Sequence, residues 1–229
     1  MRNVLLLSLL LPALALGQTA GPAPQRLKCE HEAHPLGLDE AKPRLSWQLA
    51  VTNRGARQTA YQILVSTDEQ KLAANQGDAW DSGKITSDQS VFIEYAGKPL
   101  RSRQRYFWKV KTWDERGKPS AWSPTEWWEM ALLDKNEWKG EWIGMAGAVG
   151  KPPRSVQARK AFTLTQKPTR ARMYATGLGT YTLNLNGKKV GTDYLAPGWT
   201  DYLKKVFYQT YDITDQVTVG ENTLDAWLG

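Results

Sequence analysis

Six side chains in one short stretch carry groups suited to holding a small polar ligand. They are Asn184, Asn186, Asp193, Trp199, Asp201 and Tyr202, within TGLGTYTLNLNGKKVGTDYLAPGWTDY at 176–202. An indole or phenol supplies a flat apolar face, and carboxylates and amides supply a few converging polar groups. A second constellation, Cys29, His31 and His34 in LKCEHEAH at 27–34, has the residue types of a metal site. Its histidines are three apart, where a helical zinc motif needs four, and Pro35 follows directly. The better reading is a first strand with its polar residues turned outward.

The elements that must position these residues are strands. Tyr181, Leu183 and Leu185 alternate with Thr182 and Asn184, the period of a half-buried strand. Asn186-Gly187 then supplies the two positive-φ residues of a type I′ hairpin. Upstream, Leu45, Trp47 and Leu49 share one face, 61–65 and 90–95 read as strands, and 68–75 as a short helical turn. The segment 80–83 (WDSG) reads as a turn, and 125–130 as a final strand. Tyr106, Trp108 and Val110 alternate inward along 105–113. Leu100 and Tyr106 suit a tyrosine corner, and Trp47 and Trp108 are candidates for the inter-sheet core. Trp113 and Trp122 flank the hairpin at 114–120 and are candidates for contact with a neighbouring domain. Short strands with turn signals every 8–12 residues predict an all-β sandwich. In the second half, 158–164, 171–175, 206–212 and 223–228 read as strands around the hairpin. Gly177-Leu-Gly179 runs into a strand and lacks the third glycine of a dinucleotide fingerprint, so its glycines serve a bend.

Composition narrows the function classes. The chain holds 11 Trp and 9 Tyr against 4 Phe, with 12 Pro and 19 Gly, a β-rich and turn-rich profile. The formal charge of +7 is spread along the strands and interleaved with acids, which argues for a solvated basic surface and against nucleic acid. Arg2, the apolar run 4–16 and the small residues Ala15 and Gly17 read as an export signal with cleavage, the run being shorter than the roughly 20 residues of a membrane span. A soluble protein, periplasmic or extracellular, follows, with no membrane contact after cleavage. The lone Cys29 excludes an internal disulfide. The domain plan is a signal at 1–17, a flexible Pro/Gly leader at 18–26, a first β-sandwich at 27–131, a linker at 132–157 and a second sandwich at 158–229. Trp138 and Trp142, in the linker, are expected to pack across the domain junction. The second sandwich shows six strands where about eight are wanted, which points to the N-terminal fragment of a longer protein.

The segment 43–130 resembles a fibronectin type III-like domain. LKCEHEAHPLGLDEAKPRLSW (27–47), WDSGKITSDQSV (80–91) and RYFWKVKTWDERGKPSAWS (105–123) resemble the N-terminal segment of bacterial α-L-rhamnosidases. ARKAFTL (158–164), GLGTYTLNLNGKKVGTDYLAPGWTDY (177–202), TYDIT (210–214) and GENTLDAWLG (220–229) resemble the accessory, jelly-roll-like β-sandwich that follows it. The resemblance implies an inverting glycoside hydrolase acting on terminal α-L-rhamnose of plant glycosides or polysaccharides. It places the catalytic carboxylates in a C-terminal α/α-barrel, so no catalytic residue transfers to this chain and the fragment is expected to be inactive alone. The accessory sandwich is similar to modules that bind rhamnose, in some members with calcium. That makes Trp199 a candidate stacking platform and Asp193 or Asp201 acceptors for sugar hydroxyls or a cation. The competing reading puts Trp199 in the core or against the barrel and leaves Asn186 a turn residue. A stand-alone carbohydrate-binding or adhesion protein is the alternative function.

Overall fold

The computed structural model of the chain describes residues 20–50, 54–144 and 155–229. The export signal expected at 1–17, the start of the leader and the centre of the linker lie outside them. In chain order the first unit holds β1 (Gln25–Cys29), β2 (Leu36–Leu38), β3 (Arg44–Gln48), β4 (Gln58–Ser66), α1 (Glu69–Ala73), β5 (Trp80–Asp81), β6 (Ile85–Thr86), β7 (Ile93–Glu94), β8 (Arg105–Asp114) and β9 (Glu126–Met130). The second holds β10 (Val156–Leu164), β11 (Arg172–Thr176), β12 (Tyr181–Leu185), β13 (Lys188–Lys189), β14 (Tyr208–Asp212) and β15 (Gly220–Leu228). The architecture is all-β, with one short helix.

In the first unit a three-stranded sheet, β1-β3-β7, faces a larger one in the order β2-β9-β8-β4-β5, with β6 also on β4. Tyr106, Trp108, Val110 and Thr112 of β8 all point inward and are buried, as a period of two demands. Tyr106, Trp108 and Val110 meet Leu45, Trp47, Ile63, Val65 and Trp128 in one apolar core. The Trp47 indole N–H, buried with the ring, donates to Gln58 Oε1 at 2.9 Å, which satisfies a polar group that burial would otherwise penalise. The Tyr106 hydroxyl accepts from the Arg101 amide at 2.9 Å while its ring stacks on Trp128, the geometry of a tyrosine corner. The 80–83 segment is in part strand: Trp80 and Asp81 pair with Val65 and Leu64. Helix α1 is started by Asp68, whose carboxylate accepts from the Gln70 and Lys71 amides.

The second unit pairs a four-stranded sheet, β10-β15-β12-β13, with a two-stranded one, β11-β14. Tyr181, Leu183, Leu185, Val190, Tyr211, Ile213 and Val217 form its core. Asn186 and Gly187 have φ of 52° and 76° and close the β12–β13 hairpin with Leu185 opposite Lys188, as two positive-φ residues allow.

The two units touch through β2 and β14. Gly37, at φ 81°, lies so close to Thr210 that a Cβ there would overlap the threonine hydroxyl. Across the junction Glu129 of β9 is buried and Arg172 of β11 grips it with two hydrogen bonds, 2.7 and 2.9 Å. Trp138, in the linker, packs its ring 5.6 Å from that of Tyr208, and the Tyr208 hydroxyl accepts from the Leu132 amide. Trp113 and Trp122 instead lie under the ammonium groups of Lys84, Lys109 and Lys111 on their own domain.

Candidate functional site

The loop between β13 and β14 leaves the core at Ala196 and Pro197, both buried, with Ala196 bridged to Tyr181. Beyond them the chain turns outward, and Trp199 is 91% exposed. Tyr202 lies beside it, ring centroids 6.3 Å apart and nearly parallel at 23°. The Tyr202 hydroxyl accepts from the Gly179 amide at 3.0 Å, which ties the platform to the start of β12. The two rings are nearly parallel, and the indole is open to solvent over almost all of its surface. Trp199 does not fill the sandwich core.

Asp201 caps the turn that follows. Its carboxylate accepts from the Leu203 amide at 3.2 Å and pairs with Lys204 Nζ at 3.1 Å. Asp193 lies in a separate part of the loop, against the Tyr211 hydroxyl. Burial, then Tyr181 and then Asp193 push the Tyr211 phenol well above the usual tyrosine range. Lys189 donates to the Asp193 carbonyl at 2.8 Å and sits 4.1 Å over the Tyr194 ring.

The two asparagines are placed elsewhere. Asn186 spends its amide within the fold, donating to Gln216 O and Asn222 Oδ1 and accepting from the Thr223 amide. That is the work of a turn residue. Asn184 is half-buried on β12, opposite Lys189 and Asp225. Among the described residues no hydrogen bond or ring contact joins either asparagine to Trp199, so the structure brings together Trp199, Asp201 and Tyr202 and separates the other three.

Calcium takes six to eight oxygen ligands, several of them carboxylate. With Asp201 held by Lys204 and Asp193 against Tyr211, the loop does not assemble such a cage, and among the described residues no group of three or more His, Cys, Asp or Glu is placed to hold a metal ion. The Cys29, His31 and His34 constellation is dispersed as well. The Cys29 thiol is buried and its pKa raised by burial and by Glu30. His31 meets Phe92 edge-on, and His34 stacks on Trp127 and pairs with Glu126.

One feature carries no local sequence signature. At the domain junction the single buried carboxylate of Glu129 meets three guanidiniums: Arg172, Arg105 at 3.1 Å and Arg170 at 3.5 Å. Arg172 also reaches Asp212 at 2.8 Å. Burial disfavours the Arg172 charge, but the bonds and charge of Glu129 outweigh that and raise its pKa. Arg105 is the cross-strand neighbour of Glu129 on β8, whereas Arg170 and Arg172 are brought to it by the docking of the second domain, from 41 and 43 residues away.

Comparison with known proteins gives one consistent pattern. Residues 24–134 match the family described as Rha78A-like, N-terminal immunoglobulin domain, and residues 166–229 match the alpha-L-rhamnosidase N-terminal domain. The chain is similar to an alpha-L-rhamnosidase of Formosa agariphila, 41% identical over 199 residues, covering 83% of this chain and 21% of that protein. An alpha-L-rhamnosidase of Alteromonas sp. (strain LOR) is 39% identical over 202 residues, covering 84% and 22%. Among solved structures, alpha-L-rhamnosidase from Dictyoglumus thermophilum superposes with a TM-score of 0.85 at 37% identity, covering 90% of this chain and 25% of that one. The Streptomyces avermitilis alpha-L-rhamnosidase complexed with L-rhamnose gives 0.53 at 31% identity, covering 90% and 22%. The chain thus spans less than a quarter of the length of these two curated relatives.

Proposed function

Because the chain belongs to the alpha-L-rhamnosidase family, whose N-terminal region it carries, we propose that it is the non-catalytic front part of an exported enzyme that releases terminal α-L-rhamnose from plant glycosides or polysaccharides. Inverting hydrolysis needs two carboxyl groups about 6.5–9.5 Å apart, with room for water between base and sugar. In this reading that pair belongs to a catalytic barrel outside these two sandwiches, and the chain alone is inactive. Its own part is to hold saccharide near the enzyme.

The observation that carries this role is the Trp199–Tyr202 platform. A pyranose has an apolar C–H face that an indole covers well, and burying it removes apolar surface from water. The open face of Trp199 is free for such a contact, and the Asp201 carboxylate, one turn away, accepts hydroxyl hydrogens. The L-rhamnose in the Streptomyces avermitilis structure supports the choice of sugar. Titration of the chain with L-rhamnose, followed by the indole N–H resonances, tests it. The Trp199 signal is expected to move in the parent chain, and Trp199→Ala is expected to abolish saturable binding. Binding unchanged in folded Trp199→Ala and Asp201→Ala variants would sink the role. Export is checked by sequencing the secreted protein, which should begin at Gln18.

A further inference from the structure

Between the two domains lies a cleft of about 470 Å³, within the range of small-molecule sites. Its walls carry four cations, Arg103, Lys139, Arg170 and Arg172, and two carboxylates, Glu129 and Glu137. Glu129 is fully engaged, and Arg172 is spent on it and on Asp212. Glu137 is turned back into the capping box of its own 3₁₀ turn. Arg103 and Lys139 each donate to a backbone carbonyl, of Glu137 at 3.2 Å and Asn136 at 3.0 Å. Arg170 makes a single long contact of 3.5 Å to Glu129. Three cations therefore face the cleft with most of their donors unspent. Trp138 lines the same wall, and the Tyr174 hydroxyl behind it is buried without a hydrogen-bond partner.

We propose that this cleft binds an anionic sugar residue, one that carries a carboxylate or a sulfate. Guanidinium groups match either anion with two parallel N–H donors, and Arg103 and Arg170 supply them from the two domains. Trp138 provides the flat apolar wall that a sugar ring needs, and Lys139 adds a point charge. An anionic sugar gains charge-assisted hydrogen bonds from these exposed cations that a neutral sugar cannot make. The cleft shares none of its lining residues with the Trp199 loop. That the anion is borne on a sugar rests on the saccharide role proposed above, whereas the preference for an anion rests on the cleft alone.

The test uses the full chain, with glucuronate, glucose 6-sulfate, glucose and inorganic sulfate as probes, read by the Trp138 indole and Gly140 amide resonances. Glucuronate or glucose 6-sulfate is expected to bind at least tenfold more tightly than glucose, and which of the two wins identifies the anion. Arg103→Gln and Arg170→Ala, each touching no buried carboxylate strongly, are expected to weaken that binding tenfold or more while L-rhamnose still shifts Trp199. The proposal is overturned if both acidic sugars bind no better than glucose. It is equally overturned if inorganic sulfate binds as tightly as they do, or if both variants bind like the parent. A lost rhamnose response at Trp199 with anionic binding intact would strike only the platform.

Discussion

A tryptophan left in solvent forgoes the burial that makes large aromatics worth having in a core. Burial of such a side chain is worth on the order of 2–3 kcal/mol, and Trp47, Trp108 and Trp128 all take that gain. Trp199 does not, and its ring lies in solvent beside Tyr202, which is itself fastened to Gly179. The side chain is thus stationed at the surface by the loop, which is why it is the residue to mutate first. Asp78 illustrates the opposite use of a polar group, as a clamp. Its carboxylate accepts from the Thr67 amide and hydroxyl and pairs with Lys71 of α1. Burial pushes its pKa up, but those bonds outweigh it and bring the carboxyl down to about 2 from an ordinary 3.8. A folded pKa below the unfolded one means stability present above about pH 4 and lost as the pH falls through 2. Urea unfolding at pH 5, 3 and 2 is expected to show the advantage of the parent over Asp78→Asn shrinking across that window. An advantage that stays constant from pH 5 to 2 would show that the carboxylate charge contributes nothing there.

Elements differ in how plainly the sequence announces them. β8 and β12 are legible because each alternates large apolar and polar residues over five or more positions, and Asn186-Gly187 has a single favoured turn. β2, β5 and β6 have two or three residues each, too few to show any period. They exist because a longer neighbour presents free backbone groups, as β4 does to Trp80 and Asp81. The same reason separates the two candidate sites. The Trp199 loop is local in sequence and readable as a cluster of suggestive residues. The cleft draws Glu129 and Arg172 from positions 43 residues apart, and no local pattern marks either. The tyrosine corner is the clearest long-range feature that local reasoning does reach. Tyr106→Phe keeps the ring on Trp128 but leaves the Arg101 amide without its partner, and a half-buried donor so orphaned costs about 1–2 kcal/mol. Chemical denaturation is expected to show that loss with an unchanged slope. A variant as stable as the parent would mean that water replaces the phenol.

At the scale of the whole molecule the question is what makes two sandwiches behave as one body. Apolar contact across the junction is modest, with Trp138 on Tyr208 and Gly37 against Thr210, and the dominant feature is the buried ionic knot on Glu129. Buried ion pairs add little net stability over an apolar pair of the same shape, yet removing one partner strands the other charge at a cost of about 3–5 kcal/mol. Arg172, 8% exposed, is the charge that would be stranded here, held only by the more exposed Asp212 and the Ala171 carbonyl. Glu129→Ala is therefore expected to destabilise the chain by about that amount and to split its calorimetric transition, the second domain melting first. Asp201→Ala, which breaks an exposed pair with Lys204, is expected to cost less than about 1 kcal/mol. The double variant Glu129→Leu with Arg172→Met separates packing from charge, because it removes the two most buried ions together and leaves the more exposed Arg105 and Arg170 to water. Recovery of most of the lost stability in that variant would place the cost in the unpaired guanidinium. A single, unshifted transition in Glu129→Ala would show instead that the domains are joined by their apolar contacts, with the arginines left free to serve the cleft.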